Sequence, residues 1–209
     1  MSLGDMTIAH VMSACDMTTI TGMVRWEPGA GGRLREAALE LYVERGYEQT
    51  TVAEIAQRAG VTARTFFRHF ADKREVLFAG SQELQDGLAQ AVRAAPPATG
   101  ALGAVEAALE VAAEWLGRDH PHSRQRQSVV EANPELRERE LIKMARIGAA
   151  LAEGLRRRGV PDPEATLAAE VGIVTLRVAF GQWVSRPEPS DLGALMRETL
   201  SALRAVTAR

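Results

Sequence analysis

At 209 residues and 46% hydrophobic, the chain is long enough to bury a real core, as one domain or two small ones. Its net charge of −2 does not mark the whole chain as a nucleic-acid binder, so any basic surface has to be local. A single cysteine, Cys15, excludes an internal disulfide, and no apolar run approaches the roughly 18–20 residues that span a bilayer. With no basic-then-apolar signal pattern at the N-terminus, a cytoplasmic protein of a reducing compartment is expected.

Alanine, leucine, glutamate and arginine dominate, and no segment alternates as a strand would, so the chain reads as all-α. Residues 1–31 lack a regular pattern and run into Pro28, Gly29 and Gly31. They read as a disordered leader, partly a start-site artefact, or as an arm that would carry Arg25 and Arg33 into a minor groove. From 33 to 46, Leu34, Ala37, Ala38, Leu41 and Tyr42 form one apolar stripe, closed by Gly46. Thr51 and Glu54 form a capping box that opens a second helix. Val52, Ile55, Ala56 and Ala59 are its inner side. Gly60 permits a tight corner, and Thr62 caps a very short third helix. A fourth helix is expected from Asp72, boxed with Glu75, and stopped by Pro96-Pro97. Longer helices follow over about 100–117, 123–132, 134–158, 163–185 and 190–207, with His120-Pro121-His122 read as a break.

On a helical wheel, Ala63, Phe66 and Phe70 share one side of the third helix. Arg64, Thr65, Arg68 and His69 spread over the other, and Phe67 lies at the edge. A face of two arginines, a threonine and a histidine suits a major groove, where guanidinium groups pair bidentately with guanine. Arg58, Lys73 and Arg74 nearby would make the region locally basic. A helix, a glycine turn and a second short helix together read as a helix-turn-helix.

The run TTVAEIAQRAGVTARTFFRHFADKREVLF resembles the DNA-binding domain of TetR-type bacterial transcriptional regulators, and the likeness covers residues 33–80, roughly a quarter of the chain. The remainder is similar only in being a helical domain of suitable length. The resemblance implies a helix-turn-helix domain over 32–80 and a helical effector-binding and dimerisation domain over 81–209. It also implies roles for single residues. Thr50 and Thr51 would touch phosphate at the start of the second helix; Thr62, Arg64 and Thr65 would lie at the base-reading end of the third. Phe67 stands where many members have Tyr, so its ring would pack against the sugar-phosphate edge without that hydroxyl. His69 and Lys73 would be phosphate contacts, and Arg68 shares their face.

In the second domain, Trp115, Met144, Phe180 and Trp183 are candidate walls of a pocket for an unknown small-molecule effector, or simply core packing. Leu167, Val171, Val174 and Val178 on one helix, with Leu195, Leu203 and Val206 on the last, are candidates for a four-helix interface between two copies. A homodimer implies a palindromic operator on double-stranded DNA, its half-sites about 34–36 Å apart or slightly more. His120 and His122 flank a proline without carboxylates or thiols around them, so no metal or other cofactor is expected. No nucleophile elbow, phosphate loop or carboxylate pair suggests an enzyme. The expected function is a regulator, a repressor by the resemblance, released from its operator by the effector. The alternative is a helical interaction or ligand-binding module that does not read DNA.

Overall fold

The computed structural model describes residues 29–207. Most of the leader, with Cys15 and the proposed arm residue Arg25, lies outside the described residues. Those described form nine α-helices, one 3-10 turn and no strand, as the all-α reading expects. In chain order they are α1 (Ala30–Arg45), α2 (Val52–Arg58), α3 (Ala63–His69), the 3-10 turn (Glu75–Phe78), α4 (Ser81–Ala94) and α5 (Ala101–Leu116). Then come α6 (His120–Ala132), α7 (Pro134–Arg157), α8 (Asp162–Ser185) and α9 (Leu192–Thr207).

Two apolar cores organise these helices. The larger joins α4, α5, α7, α8 and α9 around Val92, Val105, Leu155, Leu176 and Trp183. The smaller gathers Leu34, Leu41, Tyr42, Ile55, Phe66 and Val76 from α1, α2, α3 and the 3-10 turn. It is completed by Val129 and Val130 of α6 and Leu136 of α7, so the N-terminal helices do not close their own core. Each fully buried Leu, Ile, Val or Phe contributes about 1.5–3 kcal/mol of transfer free energy.

The fourth helix does not run from Asp72 as the sequence suggests. Asp72 does accept hydrogen bonds from the backbone N–H groups of Arg74 and Glu75, at 2.8 and 3.1 Å. The Glu75 side chain turns away from it, however, and pairs with Arg139 and Lys143 of α7. Only a 3-10 turn forms there, and Gly80, at φ 83°, reverses the backbone before α4 starts at Ser81. A Cβ at Gly80 would sit 2.7 Å from the Trp115 ring of α5, so this corner is both left-handed and tightly covered. Arg126 of α6 closes the same junction. It donates to the Leu77 carbonyl at 2.9 Å, pairs with Glu140, and lies over the Phe78 ring.

His120-Pro121-His122 is not a break either. Asp119 caps α6 by accepting from the His122 N–H at 3.0 Å, and proline in a first helical turn removes no needed donor. His120 is buried, its Nε2 is 2.9 Å from the Trp183 carbonyl oxygen, and its ring meets the indole edge-on. α8 has the length and mean hydropathy of a membrane span, although polar residues interrupt its apolar run. One of its faces, with Gly172, Leu176 and Trp183, is buried in the bundle core.

The Glu75 pairs carry a pH signature. Burial alone would raise its carboxyl, but hydrogen bonds from Arg139 and Lys143 outweigh this and hold it below the ordinary glutamate range. A depressed carboxyl contributes stability that is fully present above its unfolded pKa and is lost as pH falls through the folded one. Glu75→Gln is expected to cost about 1–2 kcal/mol at neutral pH. It should also flatten the acid limb of the stability profile; urea midpoints measured between neutral pH and pH 3 check both, and an unchanged acid limb would remove the assignment.

Candidate nucleic-acid interface and interior cavity

The α2–α3 corner is built by local chemistry. Thr51 and Glu54 form the expected capping box: the Glu54 N–H donates to the Thr51 hydroxyl at 3.3 Å, and the Thr51 N–H donates to the Glu54 carboxylate at 2.8 Å. α2 ends at a glycine in the left-handed region, Gly60 at φ 67°. Its N–H donates to the Gln57 carbonyl, and the Val61 N–H to that of Ala56, which satisfies the last carbonyls of the helix. Thr62 then caps α3 by accepting from the Thr65 N–H at 3.2 Å. Arg33 donates to the Ala59 carbonyl at 3.1 Å, so this guanidinium braces the corner and is not part of a free arm.

α3 shows the two faces anticipated for it. Phe66 is fully buried, Phe70 is partly buried, and Phe67 is 58% exposed. Its ring lies edge-on to Phe66, which keeps an apolar surface at the rim of the exposed face. Thr62, Arg64, Arg68 and His69 are exposed and Thr65 is partly so, its hydroxyl 3.1 Å from that of Thr62. Among the described residues, Arg64 and Arg68 have no ion pair and no side-chain hydrogen bond, so both guanidinium groups keep their full donor capacity. His69 lies beside Gly31 at the start of α1.

Other predicted contacts are occupied within the fold. Thr50 is 1% exposed and its hydroxyl donates to the Gly46 carbonyl at 2.9 Å, while its N–H goes to Tyr47. Only Thr51 stands exposed at the start of α2. Lys73 turns its ammonium inward to the carbonyls of Tyr47, Glu48 and Thr50, at 3.0, 3.4 and 3.4 Å, and over the Tyr47 ring. Arg58 bridges Glu40 and Glu44 of α1, and Arg74 pairs with Asp72. The expected local basic reservoir therefore reduces, at these positions, to the exposed face of α3.

In the bundle, the four candidate ligand walls do not meet around a space. Trp183 is fully buried and donates its indole N–H to the Ser190 carbonyl at 2.7 Å. Phe180 packs beside it, Trp115 covers Gly80, and Met144 packs on the main core. The interior cavity lies elsewhere, between α4, α5, α7 and α8, among Leu88, Val105, Leu109, Ile147, Gly172 and Leu176. Its volume is about 10 Å³, room for roughly one water, and no polar side chain lines it. At its edge α5 and α8 pack closely, for a Cβ at Gly172 would meet Val105 at 2.7 Å. No group of three His, Cys, Asp or Glu side chains that could hold a metal occurs among the described residues.

Of the proposed interface residues, Leu167, Val174 and Val178 are exposed along one face of α8, with Val171 partly buried between them. On α9 the outcome is mixed. Leu195 is 3% exposed and belongs to the chain's own core, Leu203 packs on that core, and Val206 is exposed. The remaining exposed positions of α9 are small or polar, such as Ser201, Ala202 and Ala205.

Residues 34–79 match the family model described as bacterial regulatory proteins, tetR family. Residues 99–208, more than half of the chain, match the model described as the MftR C-terminal domain. The HTH-type transcriptional regulator TcmR of Streptomyces glaucescens is 38% identical over 86 residues, which are 41% of this chain and 37% of that protein. The chain thus matches well under half the length of its curated relatives. The structure of a SmeT–triclosan complex superposes with a TM-score of 0.59 at 20% identity, covering 83% of this chain and 90% of that one. Thermus thermophilus FadR, a repressor solved with lauroyl-CoA, gives 0.51 at 25% identity over 83% and 92% of the two chains.

The division between inward and outward cations is open to a stability test. Lys73→Met removes the ammonium that donates to three carbonyls and is expected to cost about 1–2 kcal/mol of folding stability. Arg68→Ala, which breaks no contact in the fold, should stay within about 0.5 kcal/mol. Equal urea midpoints for the two variants would show that Lys73 is not a structural cation.

Proposed function

The chain belongs to the TetR family of bacterial regulatory proteins, and on that premise we propose that it is a cytoplasmic, sequence-specific DNA-binding repressor released from its operator by a small molecule. The observation that carries this reading is the exposed face of α3: Arg64, Arg68, Thr65 and the Phe67 ring on a helix anchored from behind by Phe66. A short helix held at a rigid corner, with unspent guanidinium groups, suits major-groove readout. Arg64 and Thr65, near the helix start, are the base-reading pair in this proposal. Thr51, Thr62, Arg68 and His69 supply phosphate and sugar contacts, and Phe67 packs against the backbone edge. Thr50 and Lys73 serve the interface indirectly, by fixing the turn that precedes α2.

Residues 32–80 form the reading head and 81–209 the effector and dimerisation part. The α8 stripe of Leu167, Val171, Val174 and Val178, spaced by four, three and four residues, pairs with its copy beside α9. Two reading heads then address a palindromic operator. The effector occupies an enlarged form of the interior cavity; the repressor FadR solved with lauroyl-CoA supports a ligand with an apolar body. Release follows if the ligand prefers the conformation with misplaced heads, because only differential affinity shifts the equilibrium. The structure offers two paths to the head: α4 through Gly80, and the α6–α7 corner through Val129, Val130, Leu136 and the Glu75 pairs.

Binding to fragments of the upstream DNA at two salt concentrations tests this. Wild type should bind tightly with a steep salt dependence, and Arg64→Ala should lose about 1–3 kcal/mol on the specific site. A loss under about 0.5 kcal/mol would count against base readout by Arg64. Val174→Glu with Val178→Glu should convert the dimer to monomer in sedimentation and weaken operator binding with it. A monomeric wild type at micromolar concentration would remove the dimer from the proposal.

A further inference from the structure

Leu109 lies between the interior cavity and a surface groove and lines both. Leu109 of α5 lines the cavity on its inner side. On its outer side it forms, with Met196 and Leu200 of α9, the apolar floor of a groove of about 260 Å³. The rim of the groove is two ion pairs that tie α5 to α9. Arg197 donates to Glu110 at 2.7 Å, and Arg204 pairs with Glu106. All four rim side chains are about half exposed.

We propose that this α5–α9 groove is the entrance to the interior cavity, with Leu109 as its gate and the Glu106–Arg204 and Glu110–Arg197 pairs as its latch, and that the ligand admitted is an uncharged apolar molecule. The inference rests on the effector reading above and deepens it. At about 10 Å³ the cavity holds nothing larger than a water, so a ligand must enlarge it. Most other lining residues come from α4, α7 and α8; Leu109 belongs to the same core, but of the lining residues it is the one that also borders the groove. Moving Leu109 outward merges the cavity with space that already exists.

The energetics favour the same route. Half-exposed ion pairs are each worth about 0–1 kcal/mol, so the latch opens at small cost. The ligand class follows from charge. No side chain in the cavity could compensate a buried ionised group. At the rim, two carboxylates balance two guanidinium groups, so there is no net attraction for an anion.

The experiment uses the full chain and two probes with one skeleton. N-phenyl-1-naphthylamine is uncharged, and 8-anilinonaphthalene-1-sulfonate adds a sulfonate. The uncharged probe should bind saturably and at least about tenfold more tightly than its sulfonate. In stopped flow, Glu106→Gln with Glu110→Gln should speed both its association and its dissociation about fivefold, as loss of a latch worth about 1 kcal/mol requires. The equilibrium constant should stay within about twofold, because both rates change through one barrier. Added salt should speed wild type in the same direction, since the probe carries no charge of its own. Leu109→Ala should also speed entry; if that variant fails to fold, the doubly exposed glutamine variant decides the matter alone. Saturable binding with rates that ignore the glutamine variant would overturn the entrance and leave the effector reading intact. Tighter binding of the sulfonate would overturn the ligand class. Absence of saturable binding by either probe would overturn the inference and count against the effector reading itself.

Discussion

The reading head cannot bury its own apolar interior, and the rest of the molecule is arranged around that deficit. About fifty residues rarely close a stable core alone. Here the missing wall is Val129, Val130 and Leu136, delivered by the corner where α6 meets α7. Charged contacts repeat the connection at the rim: Glu75 to Arg139 and Lys143, and Arg126 to the Leu77 carbonyl and the Phe78 ring. The orientation of α3 is therefore tied to the bundle through a shared core and not through a flexible tether. A continuous lever from Asp72 to the end of α4 would have been the simplest transmission. Gly80 interrupts it, and the α6–α7 corner makes the second connection between the N-terminal helices and the bundle.

The parts of this arrangement that were legible in the sequence are those settled within a few residues. Thr51 with Glu54, Gly60, Thr62 and the spacing of Phe66 against Phe67 are local rules, and each is realised in the corner as expected. What stayed illegible depends on partners far along the chain. Glu75 has the spacing of a capping-box residue to Asp72, but its cations lie 64 and 68 positions away. Lys73 and Arg58 look like exposed cations beside a helix-turn-helix, yet carbonyls 23–26 residues distant and carboxylates 14–18 residues distant claim them. Leu195 belongs to an apolar stripe that could face either another copy or the chain's own bundle. Periodicity cannot separate the two, and the contacts of α9 with both α5 and α8 do. Trp115, Met144, Phe180 and Trp183 do not line the interior cavity, for a related reason. Large rings fill space, and the cavity is lined instead by aliphatic and small side chains such as Leu88, Ala108 and Ala112.

Allocation of positive charge gives the candidate interface its definition. The net charge of −2 provides no general attraction to DNA, and several cations near the corner are already engaged with carboxylates or carbonyls. Such engagement stiffens the scaffold and at the same time removes these groups from competition for phosphate. The cations left on α3 are then few, fixed in position and close to the surface that would enter a groove. In the proposed regulator, base discrimination would gain from this economy, because sequence-independent phosphate attraction dilutes the share of binding that depends on sequence.

α8 joins the remaining pieces. Gly172, Ile173 and Leu176 look into the cavity, while Leu167, Val174 and Val178, on the same helix, form the exposed apolar stripe. A packed helix moves as a unit, since close-packed interiors transmit displacement instead of absorbing it. In the proposed dimer, widening the cavity would press α8 outward against its copy or α7 away from it, and α7, which starts at Pro134, places Leu136 in the N-terminal core. On the proposed reading, ligand volume, dimer geometry and the orientation of α3 would all follow the position of one helical hairpin. A ligand too large for the closed bundle would, on that reading, change all three together.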